Sequence, residues 1–336
     1  MKVFRKGFGL LALLLLSCLL LSAPAFAKEL VVYSSVDEEN AKNILDVFSA
    51  ATGIKVNMIF LSSGPAMSRI EAEKANPQAD VWFGAPSENH IVAKGRGLTV
   101  PYVPAAAKDL AESFRDKEGY WHAFYMNPLG FGVLAERLKK DGKPVPASWD
   151  DLLNPAYERM IQMPSPQSSG TAYAMIMTLI ETFGEDKAFE YMKKLNPNIQ
   201  TYTQSGTGPS KSLAIGETQI AIQFTPAFLK LVDEGYPAEV VFPKEGVGFE
   251  AAALSIVKGA KNMDEAKQLV DWIVSKEGQQ VLSEKKTYFF PVRTDVPAGK
   301  GLPALSEIKL VAYDPVNAAK EKKRIIDRWV TEVLGK

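Results

Sequence analysis

The clearest chemical potential in this chain lies in serines, threonines and glycines that recur together at three places. Residues 62–68 read SSGPAMS, 167–173 read QSSGTAY and 204–212 read QSGTGPSKS. Each stretch falls where an apolar, strand-like run gives way to a helical pattern. A serine or threonine there can cap a helix, and a glycine lets the backbone approach a ligand closely. The first N–H groups of the helix have no partner inside it, so the terminus favours an anion. One such terminus contributes about 0.3–1 kcal/mol, and up to about 2 kcal/mol when partly buried. Any one stretch alone reads as an ordinary cap, whereas three of them near strand ends point to an oxyanion pocket. The nucleotide version of this chemistry fails, because Ser210 stands where a P-loop needs the glycine before Lys211.

Other chemistries find little support. The two histidines, His90 and His122, are 32 positions apart, with no i, i+4 pair and no neighbouring cysteine for zinc. Asp37, Glu38 and Glu39 read as the acidic first turn of a helix, although a carboxylate-only magnesium or calcium site stays open. No G-x-S-x-G elbow links a strand to a helix, which leaves no evident nucleophile or base for catalysis. Tyr33, Trp82, Phe83, Tyr125, Phe131 and Phe249 fall at or beside strand ends. Most read as core, with one or two available to wall a pocket.

The elements that must hold these residues follow a regular grammar. Leu30–Tyr33 is a strand; Ala41, Ile44, Leu45 and Phe48 recur at helical spacing up to Gly53, and Ile54–Phe60 is a second strand. This β-α-β unit requires a parallel pair. A helix from Ser62 or Ser63 to Ala75, a strand at Asp80–Phe83 and a helix at Ser87–Lys94 follow. Extended chain from Trp121 is interrupted by Asn127-Pro128. The alternation then resumes with helices 171–183, 185–195, 209–215 and 227–234 and strands 199–203, 219–224 and 239–242. A strand after Gly248 leads through a turn to one amphipathic helix capped by Asp264. Alternation of this kind predicts α/β layers with ligands at the carboxyl ends of strands.

The first 27 residues stand apart. Lys2, Arg5 and Lys6 precede an apolar run from Leu10 to Leu21, and Ala25-Phe26-Ala27 forms a small-x-small site. This is the pattern of a secretory signal peptide cleaved after Ala27; the apolar run is shorter than the roughly 20 residues of a membrane span. Lipidation at Cys18 is the weaker alternative, because further leucines follow it. Cys18 is the only cysteine, so a mature chain from Lys28 has no disulfide or thiol chemistry. Removing three basic residues leaves 36 basic against 39 acidic, a balance of about −3 with no basic stripe, which argues against nucleic acid as a partner.

Three segments then show a family resemblance: LVVYSSVDEENAKNILDVFSAATGIKV, ADVWFGAPSENH and GFEAAALSIVKGAKNMDEAKQLVDWIVSKEGQQ. Together they resemble periplasmic solute-binding proteins of ABC importers, in the branch of ferric-ion binders and their organophosphate- and phosphonate-binding relatives. The resemblance implies an α/β, two-lobed Venus-flytrap fold of type II, with lobe 1 at 28–125 plus 250–336 and lobe 2 at 126–249. It implies a non-enzymatic role, one small anionic organic solute captured by lobe closure, a membrane permease as partner, a monomer, and no cofactor. The tyrosine pair typical of ferric binders is replaced by Thr225-Pro226, and Ser34-Ser35-Val36 carries no histidine. Neutral hydroxyls serve Fe(III) poorly. The resemblance therefore assigns the anion to Ser35, Ser63, Gly64, Ser169, Gly170, Thr171, Ser205, Gly206 and Thr207, and the rest of the solute to Thr225 and Glu250, where a hinge salt bridge is the other reading of Glu250. Iron import, a receptor of a signalling system and an exported hydrolase remain as alternatives.

Overall fold

The computed structural model describes residues 28–336, so the signal-peptide reading of residues 1–27, with Cys18, lies outside it. Strand β1 (Glu29–Ser34) buries Leu30 and Val32 and runs parallel to β2 (Lys55–Phe60). Between them, α1 (Glu38–Thr52) starts where the Asp37 side chain accepts the Asn40 N–H, and it buries Ala41, Ile44, Leu45 and Phe48. It stops at Gly53, whose φ of +73° suits glycine and lets its N–H reach the Ser49 carbonyl. Then come α2 (Ser63–Ala72), β3 (Val81–Pro86), α3 (Ser87–Gly95) and β4 (Thr99–Val100).

Strand β5 (His122–Val133) is buried along its whole length. The chain continues through α4 (Ala135–Lys140), β6 (Ile161–Pro164), α5 (Gly170–Phe183), α6 (Glu185–Leu195) and β7 (Ile199–Thr203). Next are α7 (Gly208–Ala214), β8 (Ile220–Phe224), α8 (Pro226–Asp233) and β9 (Glu239–Val241). It returns through β10 (Phe249–Val257), α9 (Met263–Val274), α10 (Lys276–Glu284), β11 (Phe290–Pro291) and α11 (Pro315–Glu332).

Strand order is β2-β1-β3-β10-β5-β8-β6-β7, with β4, β9 and β11 to the sides. Strand β5 belongs to both halves of this order. Its residues up to Pro128 pair antiparallel with β10, and Leu129–Val133 pair antiparallel with β8. Asn127-Pro128 therefore does not break the strand, as its sequence suggests. Pro128 has no N–H to give, and its carbonyl accepts from the Thr225 N–H and hydroxyl instead.

Two large cores result, one around Phe48, Phe83, Phe124 and Leu254, the other around Phe131, Trp149, Tyr173 and Phe189. The tail expected with the first lobe reaches both halves: Ile325, Trp329 and Val333 pack in the second core, while Lys322 lies 3.8 Å from Glu88 of α3. The expected single helix after β10 is also two. Ser275 is extended, ends α9, and caps α10 by accepting the Gly278 N–H. A Cβ on Gly278 would lie 2.1 Å from the Trp272 carbonyl, a contact that only glycine avoids. Asp264 sits in the first turn of α9, and the cap position belongs to Asn262.

Trp329 meets the ring of Tyr202 edge-on at 5.1 Å and is almost wholly buried. Trp329→Ala is expected to cost about 3–5 kcal/mol in urea denaturation, the usual range for a buried aromatic truncated to alanine. A loss under about 1 kcal/mol would show α11 to be peripheral.

Candidate functional site

The carboxyl end of β1 and the starts of several helices open onto one cleft. Ser35 follows β1, and Ser62 and Ser63 start α2. From the other half, Ser169 and Thr171 start α5, and Ser205, Gly206 and Thr207 precede α7. All of these line the cleft. Their convergence is close: a Cβ on Gly206 would stand 2.6 Å from Thr171 Oγ1 and 3.1 Å from Ser169 Oγ. Only glycine allows that approach. The Ser205 and Thr207 hydroxyls are 3.1 Å apart, and the Thr207 N–H donates to Ser205 Oγ at 3.3 Å.

Three of the expected solute contacts lie outside the cleft lining. Gly64 donates its N–H to the Ser168 carbonyl at 3.0 Å, which ties the two sides together. Gly170 leaves room for Ser63 Oγ and Pro86, each about 3 Å from where its Cβ would be. Thr225 is fully buried, and its N–H and hydroxyl are both spent on the Pro128 carbonyl; its methyl group packs against Gly130. Ser35 lines the cleft with its hydroxyl already engaged, accepting from Trp82 Nε1 and donating to the Leu61 carbonyl. Lys211 is exposed and outside the lining.

The serine starts of α2 and α5 carry no side-chain cap bond, as is also the case at α3, α4 and α6 to α9. Ser62 and Ser169 occupy the N-cap position yet make no side-chain cap bond. Asp37, Ser275 and Asp314 do make one at α1, α10 and α11. At α5 the first N–H groups have no side-chain cap beside Ser169 and Thr171 of the cleft wall; at α2 the Gly64 N–H is spent on the Ser168 carbonyl and Pro65 has none, which leaves the Ser63 N–H.

The same cleft also has acidic and aromatic lining residues: Asp37, Glu250, Tyr125 and Phe289. Glu250 of β10 stands directly across the ladder from Asn127 of β5, and Asn127 Nδ2 donates to Glu250 Oε1 at 3.0 Å. Burial pushes the Glu250 carboxyl up to about 8, with Glu88 and Asp37 adding to the rise while the Asn127 bond opposes it. Burial also raises Asp37, against the bonds it receives from Asn40. The ring of Tyr125 stacks on Phe289 at 4.0 Å, and burial holds its hydroxyl well above the usual phenol range. Neither lysine nor arginine occurs among the described residues that line the cleft.

Sequence reasoning had placed Tyr125 and Glu250 among its candidates but missed Asp37 as a wall, Asn127, Phe60, Phe224 and Phe289. The register of β5 against β10 that selects Asn127 leaves no local signal. Ala85 was missed too: it lines the cleft at φ +76°, a strained conformation for a residue with a Cβ. It follows Gly84, whose carbonyl is held by buried His90 Nε2 at 2.7 Å. His90 and His122 are both buried and hydrogen-bonded to the protein. Among the described residues, no group of three or more His, Cys, Asp or Glu side chains is placed to hold a metal ion.

Two lobes sharing a continuous strand, with a small polar cleft between them, define a solute-binding protein of the two-lobed periplasmic type. The chain belongs to the family of bacterial extracellular solute-binding proteins, whose model matches residues 77–318. It is similar to the periplasmic binding protein AfuA of Actinobacillus pleuropneumoniae, solved with exogenous fructose-6-phosphate bound. That likeness has 38% identity and a TM-score of 0.88, covering 91% of this chain and 99% of the other. A putative 2-aminoethylphosphonate-binding periplasmic protein of Salmonella typhimurium is 28% identical over 82% of this chain and 83% of its own. The apo ferric ion-binding protein A of Pasteurella haemolytica shares the fold, with a TM-score of 0.76 and 21% identity over 92% of this chain and 98% of the other.

A hydroxyl that caps a helix can be told from one that awaits a ligand by its effect on stability. Ser62→Ala and Ser169→Ala are expected to shift the free energy of unfolding by less than about 0.5 kcal/mol, against about 1 kcal/mol for Asp314→Ala, measured by urea melts. A full capping loss at Ser62 or Ser169 would return them to a structural role.

Proposed function

We propose that this protein is the periplasmic receptor of an ABC importer and that it captures a small solute carrying a phosphoryl or phosphonyl group. One observation carries the reading: the serine-led starts of α2 and α5, without side-chain caps, converge with Ser205-Gly206-Thr207 on a single cleft. A tetrahedral oxyanion matches that arrangement, because several N–H groups and hydroxyls can share its oxygens. The names of the relatives above, one solved with fructose-6-phosphate and one named for 2-aminoethylphosphonate, support the same class. The ferric neighbour speaks for the fold alone.

In this reading Ser63, Ser169, Thr171, Ser205 and Thr207 contact the anion. Gly64 and Gly170 hold the two walls together, and Gly206 admits the backbone to the ligand. Tyr125, Phe289 and Glu250 face the organic part. The lobes divide at β5 and at the segment 242–248 between β9 and β10. Contacts to both lobes favour the closed state, which a membrane permease then receives. The signal peptide directs export and is cleaved after Ala27, and the protein performs no catalysis of its own.

A thermal-shift screen tests this with inorganic phosphate, fructose 6-phosphate, 2-aminoethylphosphonate, 3-phosphoglycerate and Fe(III)-citrate. A true solute at 100 times its Kd stabilises the protein by about 2.7 kcal/mol. The double variant Ser169→Ala/Thr171→Ala is expected to weaken binding of the responding solute tenfold or more, since a hydrogen bond to a charged group contributes about 1.5–3 kcal/mol. Ser205→Ala/Thr207→Ala is expected to weaken it as well while leaving the unliganded melt nearly unchanged. A response to the iron complex alone would overturn the proposal.

A further inference from the structure

The hydroxyls and helix starts of the cleft account for one part of a solute; the buried carboxyl in the same lining constrains another. Glu250 lies on β10 with its side chain buried, and its one protein partner is Asn127. Asn127 gives its N–H to Glu250 and leaves its own Oδ1 buried without a partner. The charged groups on the surrounding elements do not neutralise Glu250. Asp37 of α1 and Glu88 of α3 carry the same sign, and Tyr125 of β5 is uncharged. The cations nearby are committed elsewhere: Lys322 of α11 lies 3.8 Å from Glu88 and also reaches Asn89, while Lys230 of α8 pairs with Glu39 and Glu234. A carboxylate enclosed without a counter-charge is strongly disfavoured, and protein groups normally avoid that state by binding a proton.

We propose that Glu250, oriented by Asn127, reads the end of the solute remote from its anion, and that the cleft closes over this carboxyl only when it bears a proton or faces a cationic group of the solute. The proposal rests on the phosphoryl or phosphonyl reading above. It divides solutes by chemistry. A hydroxyl-bearing solute meets a neutral Glu250, which can donate one hydrogen bond and accept another beside the free amide oxygen of Asn127. An ammonium-bearing solute supplies the counter-charge itself and meets the ionised form.

The two cases differ in protons. In the proposed open state Glu250 meets water, where a glutamate carboxyl titrates near 4.3; enclosed as in this structure, it is held up to about 8. The closed state with a neutral solute therefore binds more protons than the open one between those values. Its favourable term is complete below the open-state value and is lost as pH rises through the closed-state value, so affinity declines across that window and levels off above it. An ammonium solute removes the dependence.

The experiment is titration calorimetry of the mature protein with fructose 6-phosphate, 2-aminoethylphosphonate and inorganic phosphate, each in two buffers of different ionisation enthalpy at pH 7. Fructose 6-phosphate is expected to bind with uptake of close to one proton, and its affinity to fall by nearly tenfold per pH unit from pH 6 to 8. 2-Aminoethylphosphonate is expected to bind with almost no uptake. Glu250→Gln should abolish the uptake with fructose 6-phosphate; the second ionisation of the phosphate, near pH 6, is common to both proteins and cancels in the comparison. The wild-type buffer comparison needs no variant and stands if Glu250→Gln fails to fold. Fructose 6-phosphate bound without uptake, 2-aminoethylphosphonate bound with a full proton, or uptake unchanged in Glu250→Gln would each overturn the proposal. Binding of inorganic phosphate with neither organic solute would overturn it while leaving the anion reading in place. Binding of none of the three would overturn both.

Discussion

Every α-helix begins with N–H groups that its own ladder cannot satisfy, and the fold around this cleft is organised by where those groups find acceptors. At α1, α10 and α11 the side chains of Asp37, Ser275 and Asp314 do the work locally. At α2 and α5 the serines in the same position do not, and the strand ends bring both helix starts to one place. The close fit of Gly170 against Ser63 and of Gly206 against Thr171 follows from that geometry. Two helix starts can share one anion only if nothing bulkier than hydrogen stands between the chain segments that carry them.

The anion proposed for this cleft would meet helix dipoles and hydroxyls rather than lysine or arginine. Fixed N–H groups are directional and cannot swing into solvent, so they favour a tetrahedral oxyanion of matching size over negative charge in general. The same choice leaves Glu250 and Asp37 without a counter-charge in the cleft, and burial raises both. A basic side chain beside the proposed anion would have offered these carboxyls a partner and closed the cleft without a solute. Their isolation leaves the solute's own chemistry to complete the charge balance.

Local pattern made much of this legible. The β1-α1-β2 unit, the helix of residues 185–195 and the strand of 199–203 follow directly from apolar spacing and glycine stops. The three Ser/Gly stretches were readable because capping chemistry and anion chemistry use the same residues. Features set by distant chain were not readable. Asn127-Pro128 looks like a break and is the point where β5 passes from one sheet partner to the next. Thr225 looks available and is consumed by Pro128, while Asn127 becomes a cleft residue only through its register against Glu250. The terminal helix joins the second core although its chain departs from the first, a placement that amphipathic spacing alone does not specify.

Strand β5 has a further consequence for how such a protein can change. Because one strand pairs with β10 over one half and with β8 over the other, a residue inserted or removed there would invert the inward face on both sides at once. Sliding the joint is therefore closed to gradual modification, and so is lengthening it as one would lengthen a linker. The helix starts carry no such penalty, since they sit in turns whose side chains support no ladder. New solute preferences can arise by exchanging a hydroxyl, an amide or a ring at those turns, while the mechanical joint stays fixed and is inherited whole.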